Sequence, residues 1–414
     1  MNNEDFEDIE RKIRRYNQEH LLDYYNSLEE GELKEKFEKQ LEKIDFELID
    51  SLYKNTAKVK KDEEVTVEPI NYWDKERLGG KYDFYEEIGI DAIKQGKLAA
   101  VTMAGGQGTR LGHDGPKGTY DIGLDSHKSL FELLCDGLKE AEKKYGVTIP
   151  WFIMTSEENN KQTIEFFEKN KNFGYGNHIY FFVQGQLPMV DTEGKILIGE
   201  NGLIKEAADG HGGVYESLVK SGMVDKMKEL GIEWVFIAGV DNCLARMVDP
   251  VLMGLAIYKE VTAAGKSVVK ANPTEKVGAF CKKNGRPNVI EYSEITPEMA
   301  EARDAAGELL YGESHILCNL FNISAIERMG NTPLPYHSAF KKASYIDSQG
   351  NKIVPDAPNA FKFEAFLFDA FEDLDDMVVL RVKREEEFAP VKNATGVDSP
   401  ETARELYNKF HKLT

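Results

Sequence analysis

Short apolar segments alternate with amphipathic helical patterns through the middle of the chain, and this alternation restricts the fold more than any other feature. The apolar segments are "KLAAVTMA" (97–104), "PWFIMTS" (150–156), "HIYFFVQG" (178–185) and "WVFIAGVDN" (234–242). Helical patterns occupy residues 129–146, about 157–171 and 214–230. Strands that alternate with helices predict a parallel sheet with helices on both faces. Ligands bind at the carboxyl ends of such strands, so a site is expected in the loops that follow them.

The two ends of the chain have a different pattern. Residues 1 to about 55 place apolar side chains at helical spacing, which predicts an amphipathic helical cap. A coiled-coil arm is the alternative, but no heptad pattern runs long enough for one. Beyond about residue 330 the pattern indicates a smaller α+β part. The predicted organisation is an N-terminal helical segment with its connector (1–95), a central α/β domain (96–330) and a small C-terminal domain (331–414).

Composition excludes several classes of protein. Of the 414 residues, 52 are Lys or Arg and 72 are Asp or Glu, so the formal net charge is −20. Such a charge disfavours binding to nucleic acid or to an anionic membrane, and no apolar run approaches the ~20 residues that span a bilayer. The chain starts without the apolar region of a signal peptide, and its four cysteines form no CxxC pair. We therefore expect a cytoplasmic protein without a disulfide framework or a zinc site, for which a monomer is plausible.

The strongest local signal is the loop "AGGQGTRLGHDGPKG", residues 104–118, which follows the first apolar segment and contains six glycines. Glycine lets the backbone turn sharply and bring N–H groups close to phosphate oxygens. Arg110 can bind two oxygens at once, and Lys117 adds a compact positive charge. The loop is not a P-loop, because Lys117 lies between Pro116 and Gly118. It is not a dinucleotide fingerprint either, because Leu111 stands at the third glycine position.

These residues, with a series of further motifs in the same order, resemble the UDP-sugar pyrophosphorylases, which are UTP:sugar-1-phosphate uridylyltransferases. Among them the chain is most similar to the UDP-N-acetylhexosamine pyrophosphorylases. The further motifs are "IPWFIMTS" (149–156), "FFVQGQLP" (181–188), "ADGHGGVY" (208–215), "GVDN" (239–242), "NPTEKVG" (272–278), "IEYSEI" (290–295), "FLFD" (366–369) and "EFAPVKNATG" (387–396). The resemblance covers nearly the whole chain and implies a Rossmann-like, GT-A-like nucleotidyltransferase core with a mixed sheet.

The resemblance implies that UTP and a sugar 1-phosphate, most plausibly N-acetylglucosamine 1-phosphate, react to give a UDP-sugar and pyrophosphate. The sugar phosphate is ionised at neutral pH because its second pKa is about 6. No general base is needed, and catalysis depends on charge neutralisation, in-line placement and a metal ion. The implied catalytic cations are Arg110, Lys117 and Lys392, with Lys392 on a C-terminal domain that closes like a lid. Asp241, which follows an apolar strand, is the implied ligand of Mg²⁺.

The remaining residues that match the family's motifs are implied to select the two substrates. The implied nucleotide-binding residues are Ala104, Gly105, Gly106, Gly108, Thr109, Gln184, Gly210 and His211, where Gln184 can pair with a pyrimidine edge. The implied sugar-binding residues are Gly278, Glu291, Tyr292, Asn319, Phe366 and Phe368. His211 replaces an Asn that is common in the family.

One stretch departs from the hexosamine-specific members. They carry a sugar-contacting Asn in a "GNIANHFF"-like stretch, and here the sequence reads "SHILCNLFN" with Cys318 at that position. A thiol does not replace the donor and acceptor of an amide. Either Asn319 takes this role, or the preference has moved to the 1-phosphate of glucose, galactose or N-acetylgalactosamine.

Three other functions are compatible with parts of the sequence. A UDP-sugar-dependent glycosyltransferase shares the α/β core and an acidic metal motif, but the two cations of the loop suit a triphosphate better. A non-catalytic UDP-sugar-binding protein would be expected to lose Arg110, Lys117 or Asp241, and all three are present. A nicotinamide dehydrogenase lacks its fingerprint here. The sequence therefore favours the uridylyltransferase.

Overall fold

The structure, a computed structural model, describes residues 3–56, 65–347 and 349–412. Internal contacts divide the chain into two compact units that each collect distant segments. We call the first the N-terminal unit; it comprises Met1–Glu63, Gly185–Gly212 and Leu334–Phe366. We call the second the sheet unit; it comprises Glu64–Gln184, Gly213–Pro333 and Leu367–Thr414. The domain boundaries predicted at residues 95 and 330 stay a prediction.

The regular elements are numbered in chain order. The α-helices are α1 (Asn3–Arg15), α2 (Glu19–Ser27), α3 (Glu32–Lys43), α4 (Phe46–Thr56), α5 (Lys75–Leu78), α6 (Tyr82–Lys94), α7 (Leu130–Tyr145), α8 (Asn160–Lys169), α9 (Val214–Lys220), α10 (Met223–Glu229), α11 (Pro250–Tyr258), α12 (Pro297–Glu301), α13 (Ile323–Gly330), α14 (Arg384–Glu387) and α15 (Pro400–His411). The strands are β1 (Val67–Pro69), β2 (Leu98–Met103), β3 (Trp151–Thr155), β4 (Ile179–Val183), β5 (Gln186–Pro188), β6 (Val190–Asp191), β7 (Glu206–Ala208), β8 (Trp234–Gly239), β9 (Ala263–Val269), β10 (Ala279–Lys283), β11 (Arg286–Ile290), β12 (Glu313–Asn322), β13 (His337–Lys341), β14 (Tyr345–Ile346), β15 (Lys352–Ile353), β16 (Ala360–Glu364) and β17 (Val378–Arg381).

The sheet unit is built on a ten-stranded mixed sheet. Its main order is β1-β10-β12-β8-β2-β3-β4, while β11 pairs with β10 and β9 pairs with both β12 and β17. The neighbours β8, β2, β3 and β4 are parallel, and β12 runs antiparallel to β8. The predicted α/β class with a mixed sheet is therefore confirmed, and the four apolar segments identified in the sequence form its parallel part.

Complete burial explains why these strands read as continuous apolar runs. Every residue of β2, β3 and β8 is buried, as expected for parallel strands that are covered on both faces. Helix α7 begins with a capping box between Ser129 and Glu132 and ends at Gly146, which has left-handed backbone angles. These signals at both ends explain why the helix agrees with its predicted range.

The helical pattern predicted over 214–230 is confirmed, but it is divided between two helices. The structure has two helices there, α9 and α10, because Gly222 between them adopts a φ of 74°. A residue in the left-handed region interrupts the helical hydrogen bonds, and glycine adopts that conformation without a steric penalty. Apolar spacing continues across the break, so periodicity alone did not reveal it.

The N-terminal unit has its own apolar core. Helices α1–α4 and the paired strands β6 and β16 contribute buried side chains to one cluster, together with residues between β6 and β7. Its members are Ile9, Ile13, Leu21, Leu22, Phe37, Leu41, Ile44, Phe46, Ile49, Val190, Ile196, Ile198, Ile204 and Phe363. Within the described ranges, no helix is long and apolar enough to cross a membrane.

Candidate active site

The glycine loop begins where β2 ends and folds back on itself. The Gly108 N–H donates to Gly115 O at 2.9 Å, and the Lys117 N–H donates to Gly106 O at 3.0 Å. Ala104, at the base, is buried, whereas Gly106, Thr109 and Arg110 are exposed. The predicted nucleotide-binding loop therefore has a buried base and an exposed tip that carries Arg110.

Close packing fixes the lysine end of this loop. A Cβ atom on Gly118 would lie 2.2 Å from Cε2 of Phe131, a side chain that is fully buried in α7. Only glycine allows the backbone to approach the ring this closely. Lys117 precedes this glycine, so its position is set by the packing of α7.

Lys117 and Asp241 lie in the loops that follow two neighbouring strands, β2 and β8. Asp241 follows β8, and its Oδ2 lies 3.8 Å from the Lys117 Nζ. Burial lowers the pKa of Lys117, the carboxylate of Asp241 opposes this shift, and the positive charges of Lys392 and Arg110 lower the pKa further. The predicted catalytic cations and the predicted metal ligand thus belong to one electrostatic cluster at the carboxyl edge of the parallel strands.

The surroundings of Asp241 fit a magnesium ion that takes most of its ligands from water and substrate. A Cβ atom on Gly239 would lie 2.8 Å from Asp241 Oδ1, so the missing side chain leaves room beside the carboxylate. Among the described residues, no group of three or more His, Cys, Asp or Glu side chains could hold a metal ion. Mg²⁺ is commonly bound through one or two carboxylates together with phosphates and waters, and a single carboxylate suits that mode.

Gln184 lies against the glycine loop. Its side chain is 8% exposed, and its backbone N–H donates to Thr155 O at 2.9 Å. A Cβ atom on Gly105 would lie 2.1 Å from the Gln184 Oε1. The absence of a side chain on Gly105 therefore leaves space for the amide of Gln184. Two residues that the resemblance implies in nucleotide binding are thus neighbours.

Replacing Gly105 by alanine should disturb binding more than stability. The added Cβ displaces the flexible end of Gln184 and meets no backbone atom, so we expect the free energy of unfolding to change by less than about 1 kcal/mol. The displaced amide should raise the KM for UTP, the substrate that the resemblance implies, about fivefold, because a hydrogen bond contributes about 1 kcal/mol. Steady-state kinetics with UTP varied and chemical unfolding would test this. An unchanged KM for UTP would contradict the placement of Gln184.

Lys392 is placed by the segment that follows α14. The Val391 N–H donates to Asp241 O at 2.9 Å, and the Lys392 N–H donates to Asp398 O at 2.7 Å. The ammonium of Lys392 lies 3.7 Å from the Asp398 carboxylate, and its side chain is 43% exposed. Lys392, the third predicted cation, therefore directly follows a residue that hydrogen-bonds to the backbone of Asp241, the predicted metal ligand.

The predicted sugar-binding residues of the sheet unit fall into two groups. Gly278 lies beside Glu291, whose Oε1 would be 3.1 Å from a Cβ atom on the glycine, and Tyr292 is 49% exposed. Asn319 is fully buried and hydrogen-bonds with His315, while the ring of Phe368 meets the same histidine edge-on.

Cys318 and Asn319 are consecutive residues of β12 in regular register with β8, so their side chains point to opposite faces of the sheet. The pairing of β12 with β9 shifts between His315 and Asn319, where Leu317 has a φ of 55°. The side chain of Cys318 lies beside Asn242, and burial raises its thiol pKa to about 12. The thiol is therefore a neutral group next to the Asp241 loop.

The N-terminal unit holds the other predicted contacts. Gly210 has a φ of 89°, and a Cβ atom on it would lie 2.3 Å from Ala365 O. The rings of His211 and Phe366 stack at 5.4 Å, and Phe366 also stacks on His337 at 4.6 Å. Gly210, His211 and Phe366 are therefore neighbours within this unit.

Asn159, which was not identified from the sequence, hydrogen-bonds to the backbone of the glycine loop. This side chain is fully buried, and its Nδ2 donates to Ala104 O at 2.9 Å and to Gly106 O at 3.3 Å. Its Oδ1 accepts from the Ser156 N–H at 2.9 Å. The available signal was its place just after an apolar strand, at the same sheet edge as the loop.

Comparisons with known proteins extend this description. A family model described as UTP–glucose-1-phosphate uridylyltransferase matches residues 46–398. The UDP-N-acetylglucosamine pyrophosphorylase of Saccharomyces cerevisiae is 38% identical over 370 residues, which cover 86% of this chain and 78% of the yeast protein. The UDP-N-acetylglucosamine diphosphorylase 2 of Arabidopsis thaliana is 36% identical over 424 residues, which cover 97% of this chain and 83% of the plant protein.

A solved structure shows the same relationship in three dimensions. The crystal structure of the uridine diphosphate N-acetylglucosamine pyrophosphorylase from Trypanosoma brucei in complex with inhibitor aligns with a TM-score of 0.82 at 32% identity. The alignment covers 98% of this chain and 84% of that chain. Since the family model also spans the glycine loop, Asp241 and Lys392, the chain belongs to the UTP–glucose-1-phosphate uridylyltransferase family.

Proposed function

We propose that this protein transfers a uridylyl group from UTP to N-acetylglucosamine 1-phosphate, giving UDP-N-acetylglucosamine and pyrophosphate. The observation that carries the proposal is the convergence of Lys117 and Asp241, 3.8 Å apart, beside a glycine loop in a chain of this family. The sugar is taken from the relatives that share most of the chain, which are named for N-acetylglucosamine. A triphosphate and a sugar phosphate are both anions, and the cluster supplies the positive charge that their approach requires.

The reaction is an in-line displacement. An ionised oxygen of the sugar phosphate forms a bond to the α-phosphorus of UTP, while the bond from that phosphorus to the bridging β-phosphate oxygen breaks. The electron pair of the broken bond leaves with pyrophosphate, so no proton transfer is needed at neutral pH. Positioning and charge stabilisation therefore account for catalysis in such a transfer.

The side chains of the sheet unit have distinct parts in this scheme. Arg110 and Lys117 bind the phosphates of UTP and stabilise the charge that develops on the leaving group. Lys392 binds the phosphate of the sugar 1-phosphate and holds its oxygen toward the same cluster. Ala104, Gly105, Gly106, Gly108 and Thr109 supply the loop backbone, and Gln184 binds the uracil edge. Asp241 would hold Mg²⁺, which would neutralise phosphate charge when bound.

The remaining predicted contacts complete the proposal for each substrate. Gly210 and His211 contact the base, and Phe366 and Phe368 contact the sugar. Glu291 accepts hydrogen bonds from sugar hydroxyls, next to Gly278 and Tyr292. Asn319 is fully buried, so its part in sugar selection would pass through His315, its hydrogen-bond partner.

A pyrophosphate-release assay with UTP and a panel of sugar 1-phosphates tests the proposal. Turnover should be fastest with N-acetylglucosamine 1-phosphate, and omission of Mg²⁺ should abolish it. Preference for the 1-phosphate of glucose, galactose or N-acetylgalactosamine would contradict the proposed sugar but not the proposed uridylyl transfer. An absence of turnover with every compound would reject the uridylyltransferase, and transfer of a sugar without pyrophosphate release would indicate a glycosyltransferase.

A further inference from the structure

The backbone that follows β8 lies alongside residues 387–391, which we call the C-terminal segment. Asp241 O accepts from the Val391 N–H at 2.9 Å, and the Cys243 N–H donates to Ala389 O at 3.3 Å. An isolated antiparallel bridge joins Asn242 and Pro390 between these two bonds. The two stretches therefore form a short ladder, and the residue that carries the predicted metal ligand is part of it.

The side chain of Asn242 strengthens this ladder at both of its polar atoms. Its Nδ2 donates to Glu387 O at 2.7 Å, and its Oδ1 accepts from the Ala389 N–H at 2.9 Å. Asn242 is 3% exposed, and Ala389 is fully buried. A buried backbone group without a partner is costly, so an amide that satisfies two of them holds the segment firmly.

The C-terminal segment has a second anchor at its start. The Glu387 carboxylate pairs with the ammonium of Lys266, which is fully buried and also lies 2.8 Å from the Asp249 carboxylate. The Lys266 ammonium further donates to Arg246 O at 3.1 Å. The segment is thus fixed at Glu387 by charge and at Ala389 and Val391 by hydrogen bonds.

Lys392 directly follows the last of these hydrogen bonds. The Val391 N–H, one residue earlier, donates to Asp241 O at 2.9 Å, so the backbone of Lys392 lies next to the residue that carries the predicted metal ligand. The side chain of Lys392 is 43% exposed and has the Asp398 carboxylate at 3.7 Å. The ammonium also lies 5.6 Å from the centroid of the Phe388 ring. The C-terminal segment therefore contains a direct neighbour of this side chain and also leads into its backbone.

We propose that Asn242 is a positioning residue for the sugar 1-phosphate: it holds the C-terminal segment so that Lys392 faces the same reaction centre as Asp241. This inference rests on the proposed function. Asn159 has the corresponding role for the glycine loop, because its side chain donates hydrogen bonds to the backbone of that loop. Asn242 would then affect the binding of the sugar 1-phosphate, and Asn159 would affect the binding of UTP.

The crossed comparison of Asn242→Ala and Asn159→Ala tests this division. In Asn242→Ala we expect the KM for the sugar 1-phosphate to rise about tenfold, with the KM for UTP within about twofold of the wild type. The reason is that a displaced Lys392 loses a charged hydrogen bond to the phosphate, which is worth about tenfold in binding. In Asn159→Ala we expect the KM for UTP to rise about tenfold, with the KM for the sugar 1-phosphate within about twofold of the wild type. A purely structural role would lower the active fraction and leave both KM values unchanged, and that result would overturn the proposal.

A double variant gives an independent measure of coupling. If Asn242 acts through Lys392, then Asn242→Ala should add little to the KM change that Lys392→Ala causes alone. Full additivity of the two changes would contradict the proposal. Should Asn242→Ala fail to fold, Asn242→Ser, which retains a polar group too short to bridge both partners, replaces it in every comparison.

Amide hydrogen exchange separates this inference from the proposed function. The Ala389 amide should exchange faster in Asn242→Ala than in the wild type, while the amides of β3 keep their protection. This result is expected whether or not the wild type turns over the substrates. Unchanged exchange at Ala389 would show that Asn242 does not hold the segment, and a wild type without turnover would reject the proposed function.

Discussion

Replacing Lys117 by methionine is expected to lower kcat for UDP-sugar formation by about 10²–10³-fold. Removing one preoriented donor from developing charge costs about this much in enzymes where it has been done. Lys117 is held by the packing of Gly118 on Phe131, and its Nζ lies 3.8 Å from Asp241 Oδ2, so its charge is oriented before the substrates bind. Initial rates of pyrophosphate release with saturating substrates measure the effect.

Two further variants control for charge and for folding. Lys97 lies just before β2, at the opposite end of the strand that leads into the loop, and pairs with Glu233 at 3.0 Å. Lys97→Met should therefore leave kcat within about twofold of the wild type, because exposed ion pairs contribute little. A comparable loss of kcat in both variants would show that the effect of Lys117→Met comes from the fold.

The variant Lys117→Arg separates charge from shape. Burial lowers the pKa of Lys117, so kcat/KM for UTP should fall as the pH rises through that lowered value and the ammonium loses its proton. A guanidinium keeps its charge because its pKa is above about 12. The alkaline decline should thus disappear in Lys117→Arg even where its maximal rate is reduced, and a decline that stays in place would assign it to another group.

Replacing Lys266 by methionine should have the largest effect on stability, a loss of about 3–5 kcal/mol in the free energy of unfolding. The ammonium is fully buried between Asp249 and Glu387, whose side chains are 6% and 8% exposed. Its removal leaves two carboxylates in a medium that solvates them poorly, and breaking a buried ion pair at one partner costs about this much. Denaturant unfolding measures the change.

Neutralising the whole cluster should recover much of this loss. The triple variant Lys266→Met, Asp249→Asn, Glu387→Gln removes the three buried charges, and Asn at position 249 can still accept the N–H groups at the start of α11. Arg246, which interacts with both carboxylates, keeps its charge at an exposed position. Exchange of a complete buried ion cluster for neutral groups is often close to neutral in stability. A triple variant as unstable as Lys266→Met alone would show that lost packing and not charge explains the effect.

The sequence predicted the parallel part of the sheet because complete burial leaves a direct signature. The completely buried strands β2, β3 and β8 coincide with apolar segments that end in glycine or polar residues, and the partly buried strand β4 does so as well. The glycine loop was equally legible, since a positively charged glycine-rich turn after a buried strand has few other uses. Both features are local, so they could be found without any knowledge of distant contacts.

Other features depend on contacts between distant parts of the chain. The strand β17 pairs in parallel with β9, more than 100 residues earlier in the sequence, and 334–366 joins residues 1–63 in the N-terminal unit. Lys266 reads in the sequence as one charge among many, yet it is fully buried. No periodicity reveals such partners, because pairing across a sheet is set by topology.

The sequence by itself determined the class of core and the family, and it predicts the phosphate-binding chemistry of the loop. Residue type and spacing suffice for these, since burial and backbone freedom are local requirements. The tertiary structure alone decided that Lys117 meets Asp241, that Asn159 supports the loop, and that Asn242 ties the Lys392 backbone to the Asp241 strand end. The physical reason is that hydrogen bonds and ion pairs act over a few ångströms, and only the folded chain brings their partners within that distance.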